Sequence, residues 1–254
     1  MTLPAAPTGL APYTAGAPHT YAFGHFAALA ALAHRPAAVT AVVAHHDLPE
    51  GWRAALVAAA REAGLEVRWD DAAVRRLRRH EQVLCLAVVA KAEDVVAPDA
   101  DHVVLVAPSH AGNVGSALRS LAAFGFDDVV LVAPRVDAWS PHVVRASVGM
   151  RFALRCQVVA STADYLGALR DTAPRRHYCL VASGATELRD ATFARPASLW
   201  FGPEWGGGAE AHAAPPEAAR VRIDTQPRVE SLNLAVAVSL AAYHAAGGAA
   251  GGRG

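Results

Sequence analysis

Residues 103–106 and 129–132 both read Val-Val-Leu-Val, apolar at every position. A strand with one wet face alternates apolar and polar side chains, so an unbroken β-branched run needs cover on both faces. The central strands of a parallel sheet with helices packed above and below meet that condition. Runs of similar character recur at 157–159, 178–182, 199–201 and 220–223, each followed or preceded by enough chain for a crossover helix. The expectation is an α/β domain on a parallel sheet. Its last helix is expected to run from Ser231 to about Ala246, with Ser231 as N-cap and Gly247 just past its end.

Upstream a second alternation uses shorter elements. Helices are expected at 25–34, 52–63 and 72–79 and strands at 38–43, 65–69 and 83–89, punctuated by Pro36, Pro49, Gly51 and Gly64. Residues 93–101, with Glu93, Asp94, Pro98 and Asp99, break the periodicity and read as a linker. A chain of 254 residues has room for two modest domains or one large one, and the break at 93–101 favours two. They are placed at 19–92 and 102–246, with a loose extension at 1–18 and a flexible Gly/Ala tail at 247–254.

With 53% apolar and 18% charged residues, the chain is neither disordered nor fibrous. Its 23 basic and 23 acidic residues cancel, so no whole-molecule positive field draws in nucleic acid and any such binding must use a local patch. The densest patch is Arg75, Arg76, Arg78, Arg79 and His80; a solvated helix face neutralised by Asp70, Asp71 and Glu81 accounts for the same residues. Cys85, Cys156 and Cys179 stand apart in apolar runs, without the spacing of a disulfide framework or a metal site. They are expected to be buried thiols in a reducing compartment. Segment 1–18 holds four prolines and has neither a basic start nor an apolar core, unlike a secretory signal. The longest apolar stretch, 234–246, falls short of the roughly 20 residues that span a bilayer. A soluble, cytoplasmic protein is expected.

Three polar islands interrupt the second domain where strands end, the edge at which open parallel sheets bind ligands. The first is Asn113-Val-Gly115-Ser-Ala-Leu-Arg119 followed by Phe124-Gly125, with Val114, Ala117, Leu118 and Leu121 as an apolar helix stripe. The second is Phe201-Gly202-Pro-Glu204 followed by glycines 206–208, which let a backbone approach a ligand closely. It lacks the Lys-Ser/Thr of a P-loop and the spacing of a dinucleotide fingerprint. The third, Val229-Glu-Ser231-Leu-Asn233, opens the last helix, where free N–H groups favour an anionic group.

In this order the islands resemble the three motifs of the SpoU (TrmH) family of RNA ribose 2′-O-methyltransferases, within the SPOUT class. Asn113, Gly115, Arg119 and Phe124-Gly125 match the first motif; Phe201, Gly202, Glu204 and Gly206 match the second; Ser231, Leu232 and Asn233 match the third. Ser140-Pro141 and Arg145-Ala-Ser147-Val-Gly149 resemble the segment between them. The first domain, through Tyr21-Ala-Phe-Gly24-His and His80-Glu-Gln82-Val, is similar to the L30e-like RNA-binding domain of many members. Two stretches depart from the family. His110-Ala111 stands where Asp-Pro is usual, and Ile223-Asp224-Thr225 stands where Ile-Pro-Met is usual, in a loop that touches the cofactor in relatives.

The resemblance implies a SPOUT parallel-sheet domain with a C-terminal trefoil knot, a rare exception to unknotted topology. It implies S-adenosylmethionine as cofactor, held at Gly202, Ile223 and Leu232. Catalytic roles fall to Arg119, Asn113, Glu204, Ser231 and Asn233, and RNA contacts to Arg75, Arg76, Arg78, Arg79 and Arg145. A guanidinium is a poor proton acceptor. Arg119 is therefore expected to bind phosphate and stabilise the developing alkoxide, while Glu204 orients it. Homodimers are the family's habit, and the two-domain layout leans toward ribosomal over transfer RNA. No metal or membrane is implied. The competing reading is an RNA-binding or ribosome-assembly factor that kept the fold and lost the chemistry, for which the Asp224-Thr225 departure speaks.

Overall fold

The computed structural model describes residues 10–78, 82–170, 172–203 and 214–250. They form two compact units, one of Met1–Ala92 with Asp137–Ala153, the other of Glu93–Val136 with Leu154–Gly254.

The first unit carries β1 (His19–Phe23), α1 (His25–His34), β2 (Val39–Ala44), α2 (Glu50–Glu62), β3 (Val67–Trp69), α3 (Asp71–Leu77) and β4 (Cys85–Ala90). Its sheet runs β1-β4-β2-β3. β4 is antiparallel to both neighbours and only β2 and β3 are parallel, so the helix–strand alternation does not make this a parallel sheet. β1 escapes the periodicity because His19 and Thr20 interrupt it. Thr20 is nevertheless buried, its hydroxyl donating to the Trp139 carbonyl at 2.5 Å.

Asp137–Ala153 packs in this unit rather than with the catalytic domain where the family resemblance put it. Its helix α5 (Pro141–Ala146) is capped by Ser140, whose hydroxyl accepts from the His142 N–H. The reason for its allegiance is apolar: Val144 and Phe152 join the core of Ala27, Ala28, Ala31 and Leu56, with Trp139 against it. Gly149 sits at φ +83°, and a Cβ there would lie 2.5 Å from Ala30 Cβ, so only glycine allows this backbone to approach α1.

The second unit is a seven-stranded sheet in the order β7-β6-β5-β10-β8-β11-β9. Its strands are β5 (His102–Val106), β6 (Asp128–Val132), β7 (Arg155–Val159), β8 (Arg176–Leu180), β9 (Thr186–Glu187), β10 (Ala197–Phe201) and β11 (Ala219–Arg222). Every pairing is parallel. β5, β6 and β10 are buried at every residue, as unbroken apolar runs require. Helices α4 (Ala111–Ala123), α6 (Thr162–Ala168) and α7 (Leu234–Ala250) complete the unit. On α4 the stripe Val114, Ala117, Leu118 and Leu121 is fully buried.

Residues 93–101 are fastened to this unit rather than free. Asp94 accepts from the Cys156 N–H at 3.1 Å, the Val96 N–H donates to Gln157 at 3.1 Å, and the Ala97 N–H donates to the buried Asp128 at 3.0 Å. The polar side chains that interrupt the pattern are thus partners of neighbouring strands. Asp128 is held further by Arg155, whose Nε and Nη2 donate to its two oxygens at 2.6 and 2.5 Å.

The last helix differs from expectation at both ends. It begins at Leu234, and Asn233 rather than Ser231 is its cap: Oδ1 accepts from the Ala235 N–H at 2.9 Å and the Asn233 carbonyl from the Ala237 N–H at 3.0 Å. It also runs through Gly247 to Ala250. A helical glycine costs only about 1 kcal/mol, which alanine-rich neighbours absorb. All three cysteines are buried thiols, and burial pushes Cys85 up to about 12. Among the described residues no helix is long and apolar enough to cross a membrane.

Candidate active site

From β5 the chain steps outward through β6 to β7, whereas β10, β8, β11 and β9 extend the sheet on the other side. The strand order therefore reverses between β5 and β10, and a ligand crevice is expected outside the carboxyl ends of those strands. A cavity of about 960 Å³ opens there. The turn after β5 supplies His110 and Asn113, the end of β8 supplies Leu180 to Ser183, and the end of β10 supplies Phe201 to Pro203. Arg220, Ile223 and Thr225 come from β11 and its loop, and Glu230 to Leu234 from the approach to α7.

Two helices aim their N-termini at this cavity. Asn233 Nδ2 donates to Asn113 Oδ1 at 2.9 Å, Ser239 Oγ meets Ser120 Oγ at 2.7 Å, and the Tyr243 ring stands 5.5 Å from Phe124. Contacts that advance together along both helices mean that α4 and α7 run parallel. Their positive dipole ends then lie side by side, an environment suited to a carboxylate or phosphate. His110 is the N-cap residue of α4.

Of the residues singled out from the sequence, Asn113, Gly202, Ile223, Ser231, Leu232 and Asn233 line this one cavity although up to 120 positions separate them. Arg119 does not. It lies exposed on α4, six residues or roughly 9 Å along the axis from Asn113. Glu204 and Arg79 lie outside the described residues. His110, Arg220 and the end of β8 were missed, and Glu230 stood in the third island without a role. Long-range strand pairing brings them to the cavity, which a sequence shows weakly.

The departure at Asp224 has a local explanation. Arg222 Nε donates to Asp224 Oδ1 at 2.6 Å, and this bond holds the Asp224 carboxyl below the usual range. Arg222 Nη1 also donates to the carbonyls of Gly184 and Ala185. Arg222 thus ties β11 to the turn after β8, Asp224 anchors its guanidinium, and Asp224 does not itself line the cavity.

The arginine cluster of the first unit is partly committed to its own fold. Arg75 Nη1 lies 3.0 Å from His45 Nε2, Arg76 donates to the Leu10 carbonyl at 3.2 Å, and Arg78 to the Val83 carbonyl at 3.5 Å. Arg75 and Arg76 stay exposed. Arg145, with His142, Tyr13 and Phe23, lines a separate cavity of about 100 Å³ in this unit. Among the described residues no three His, Cys, Asp or Glu side chains are gathered as a metal site.

An open parallel α/β unit with its cavity at the strand reversal defines a ligand-binding protein of the doubly wound class. Residues 101–243, more than half of the chain, match the family model described as the SpoU rRNA Methylase family. The protein belongs to that family. It is 35% identical over 134 residues, 53% of this chain and 48% of the relative, to an uncharacterised tRNA/rRNA methyltransferase of Synechocystis sp.. The chain thus spans about half the length of that curated relative. In fold it is similar to the SpoU methyltransferase AviRb from Streptomyces viridochromogenes, solved in complex with the cofactor AdoMet (TM-score 0.77, 24% identity, 92% of each chain). It is also similar to an RNA 2′-O ribose methyltransferase (TM-score 0.71, 23% identity, 92% of this chain and 90% of the other).

Proposed function

We propose that this protein is an S-adenosylmethionine-dependent RNA ribose 2′-O-methyltransferase that works as a homodimer and prefers ribosomal to transfer RNA. The observation that carries the reading is the convergence of Asn113, Gly202, Ile223, Ser231, Leu232 and Asn233 on one cavity. The cavity, about 960 Å³, falls in the range of small-molecule sites. Apolar Ile223, Leu232 and Phe201 suit an adenosine, the Gly202 backbone allows close approach, and paired helix N-termini suit a carboxylate. Bound there, the cofactor supplies an electrophilic methyl carbon.

The chain's own residues do the positioning, which is worth much of the rate. Asn113 and Asn233, joined at 2.9 Å, present fixed amides to a ribose and its phosphate, with Ser231 beside them. Arg119 is charged and exposed, suited to gripping a phosphate and stabilising an alkoxide. It lies outside its own chain's cavity, so in a homodimer it would serve the cavity of the other copy. The knot and the L30e-like character of the first unit follow from the family resemblance, and exposed Arg75, Arg76 and Arg145 are the RNA contacts assigned there. Asp224, which favoured a binding-only reading, is taken up by Arg222 outside the cavity lining.

The test is transfer of labelled methyl from S-adenosylmethionine into separated ribosomal and transfer RNA from cells lacking the gene. Label is expected in the ribosomal fraction as 2′-O-methyl nucleoside, lost with Arg119→Ala and partly kept with Arg119→Lys at an unchanged pH profile. No label from folded, cofactor-binding protein returns the binding-only reading.

A further inference from the structure

We propose that His110 is the general base of this site, taking the proton from the ribose 2′-hydroxyl. The inference deepens the methyltransferase reading and rests on it. Methyl transfer to a neutral hydroxyl needs a proton acceptor, and Arg119, as a guanidinium, is not one. Three ionisable side chains line the cavity among the described residues: His110 from the turn after β5, Arg220 from β11 and Glu230 from the loop ahead of α7. Arg220 is ruled out as Arg119 is, and its Nη2 already donates to Ser183 Oγ at 3.1 Å. A carboxylate is intrinsically a weaker base than an imidazole, the side chain best matched to taking a proton near neutrality. The remaining polar lining, including Asn113, Thr225, Ser231 and Asn233, is uncharged.

Geometry supports the same residue. His110 is exposed at the mouth of α4 in extended backbone (φ −107°, ψ 117°), and its carbonyl takes the first helical bond from the Val114 N–H at 3.0 Å. Asn113 follows three residues later, about one turn along α4, so His110 and the Asn113–Asn233 pair line the same cavity from neighbouring positions. In the step, the O2′–H bond breaks and the proton passes to an imidazole nitrogen. The O2′–carbon bond forms as the carbon–sulfur bond of the sulfonium donor breaks, and its electron pair stays on a neutral thioether sulfur. The imidazolium then returns its proton to water.

The test compares native protein with His110→Gln and Glu230→Gln, on the RNA fraction that accepts label, by single-turnover transfer between pH 5 and 9. His110→Gln is expected to fall about 100-fold or more and to lose the acid limb of the profile. Its circular dichroism and its S-adenosylmethionine affinity by calorimetry should stay unchanged, and Glu230→Gln should keep the limb. An independent readout is the imidazole proton resonance missing from His110→Gln, which should shift when that RNA is added and stay in place with the other fraction. A His110→Gln rate within tenfold of native, an acid limb that disappears with Glu230→Gln, an unmoved resonance or lost cofactor binding each overturn the assignment. Absence of transfer by the native protein overturns the methyltransferase reading itself, a separate result.

Discussion

His102 shows how a single buried ring ties the sheet to acid stability. At the start of β5 it has no exposed surface, and its Nε2 lies 2.7 Å from the Ala97 carbonyl, which it can only meet as a donor. Nδ1 is then an acceptor for the Tyr165 hydroxyl at 2.7 Å, which in turn meets Ser198 Oγ at 2.7 Å, with Arg175 donating to Ser198 at 3.3 Å. A neutral imidazole satisfies this chain at both ring nitrogens. Burial, the largest cause, lowers the His102 pKa from its ordinary value and pushes the Tyr165 phenol up to about 12. A histidine lowered in the folded state lets the unfolded chain protonate first, so its stabilisation is complete above pH 6.5 and is lost as pH falls toward the folded value. Burial lowers His177 in the same direction. Denaturant unfolding should therefore weaken from pH 7 to 5, by at most about 1.4 kcal/mol per pH unit for each such group. His102→Gln should flatten that slope.

At the level of elements, the start of α7 joins a helix cap to the cavity lining in one residue. Asn233 caps the helix through Oδ1 and reaches Asn113 through Nδ2. The two jobs separate by substitution. Asn233→Asp keeps the capping oxygen and adds a charge that the helix dipole favours, so its unfolding free energy should stay within about 1 kcal/mol of native. Asn233→Ala should lose about 1–2 kcal/mol. Both remove the amide donor from the cavity, and both should transfer methyl at least tenfold more slowly. Denaturation curves and single-turnover rates on the same preparations check the split, and equal activity of Asn233→Asp and native protein would leave Asn233 a cap alone.

For the whole molecule, the outer face of α7 is where the proposed homodimer can be tested. Val236, Leu240 and Tyr243, at helical spacing, are 47%, 42% and 66% exposed, with Phe124 against Tyr243. In the proposed homodimer this apolar stripe is the surface that the second copy would cover. It lies on the helix that lines the cavity, and the neighbouring helix carries Arg119, which its own cavity does not include. Leu240→Glu should leave the fold intact while yielding monomers in light scattering after gel filtration, with methyl transfer falling at least tenfold. A monomeric native protein, or a fully active monomeric variant, would remove the homodimer from the mechanism.

The sequence by itself determined the covered parallel sheet, because residues 103–106 and 129–132 leave no wet face; of the three polar islands only Phe201-Gly202 sits at a strand end, the others opening α4 and α7. Periodicity is a local property, and these elements are made locally. It did not determine where Asp137–Ala153 packs: an apolar segment carries no address, and only the fit of Val144, Phe152 and Gly149 against α1 assigns it to the first unit. Nor did it mark Asn233 as the helix cap, since Ser231 caps as well in isolation and the bond to Asn113 exists only once α4 and α7 lie side by side. His110 looked like a departure from pattern until strands β5, β8, β10 and β11 placed it with Asn113, Ser231 and Asn233 around one cavity. Long-range pairing sets such distances, and one-dimensional spacing does not contain them.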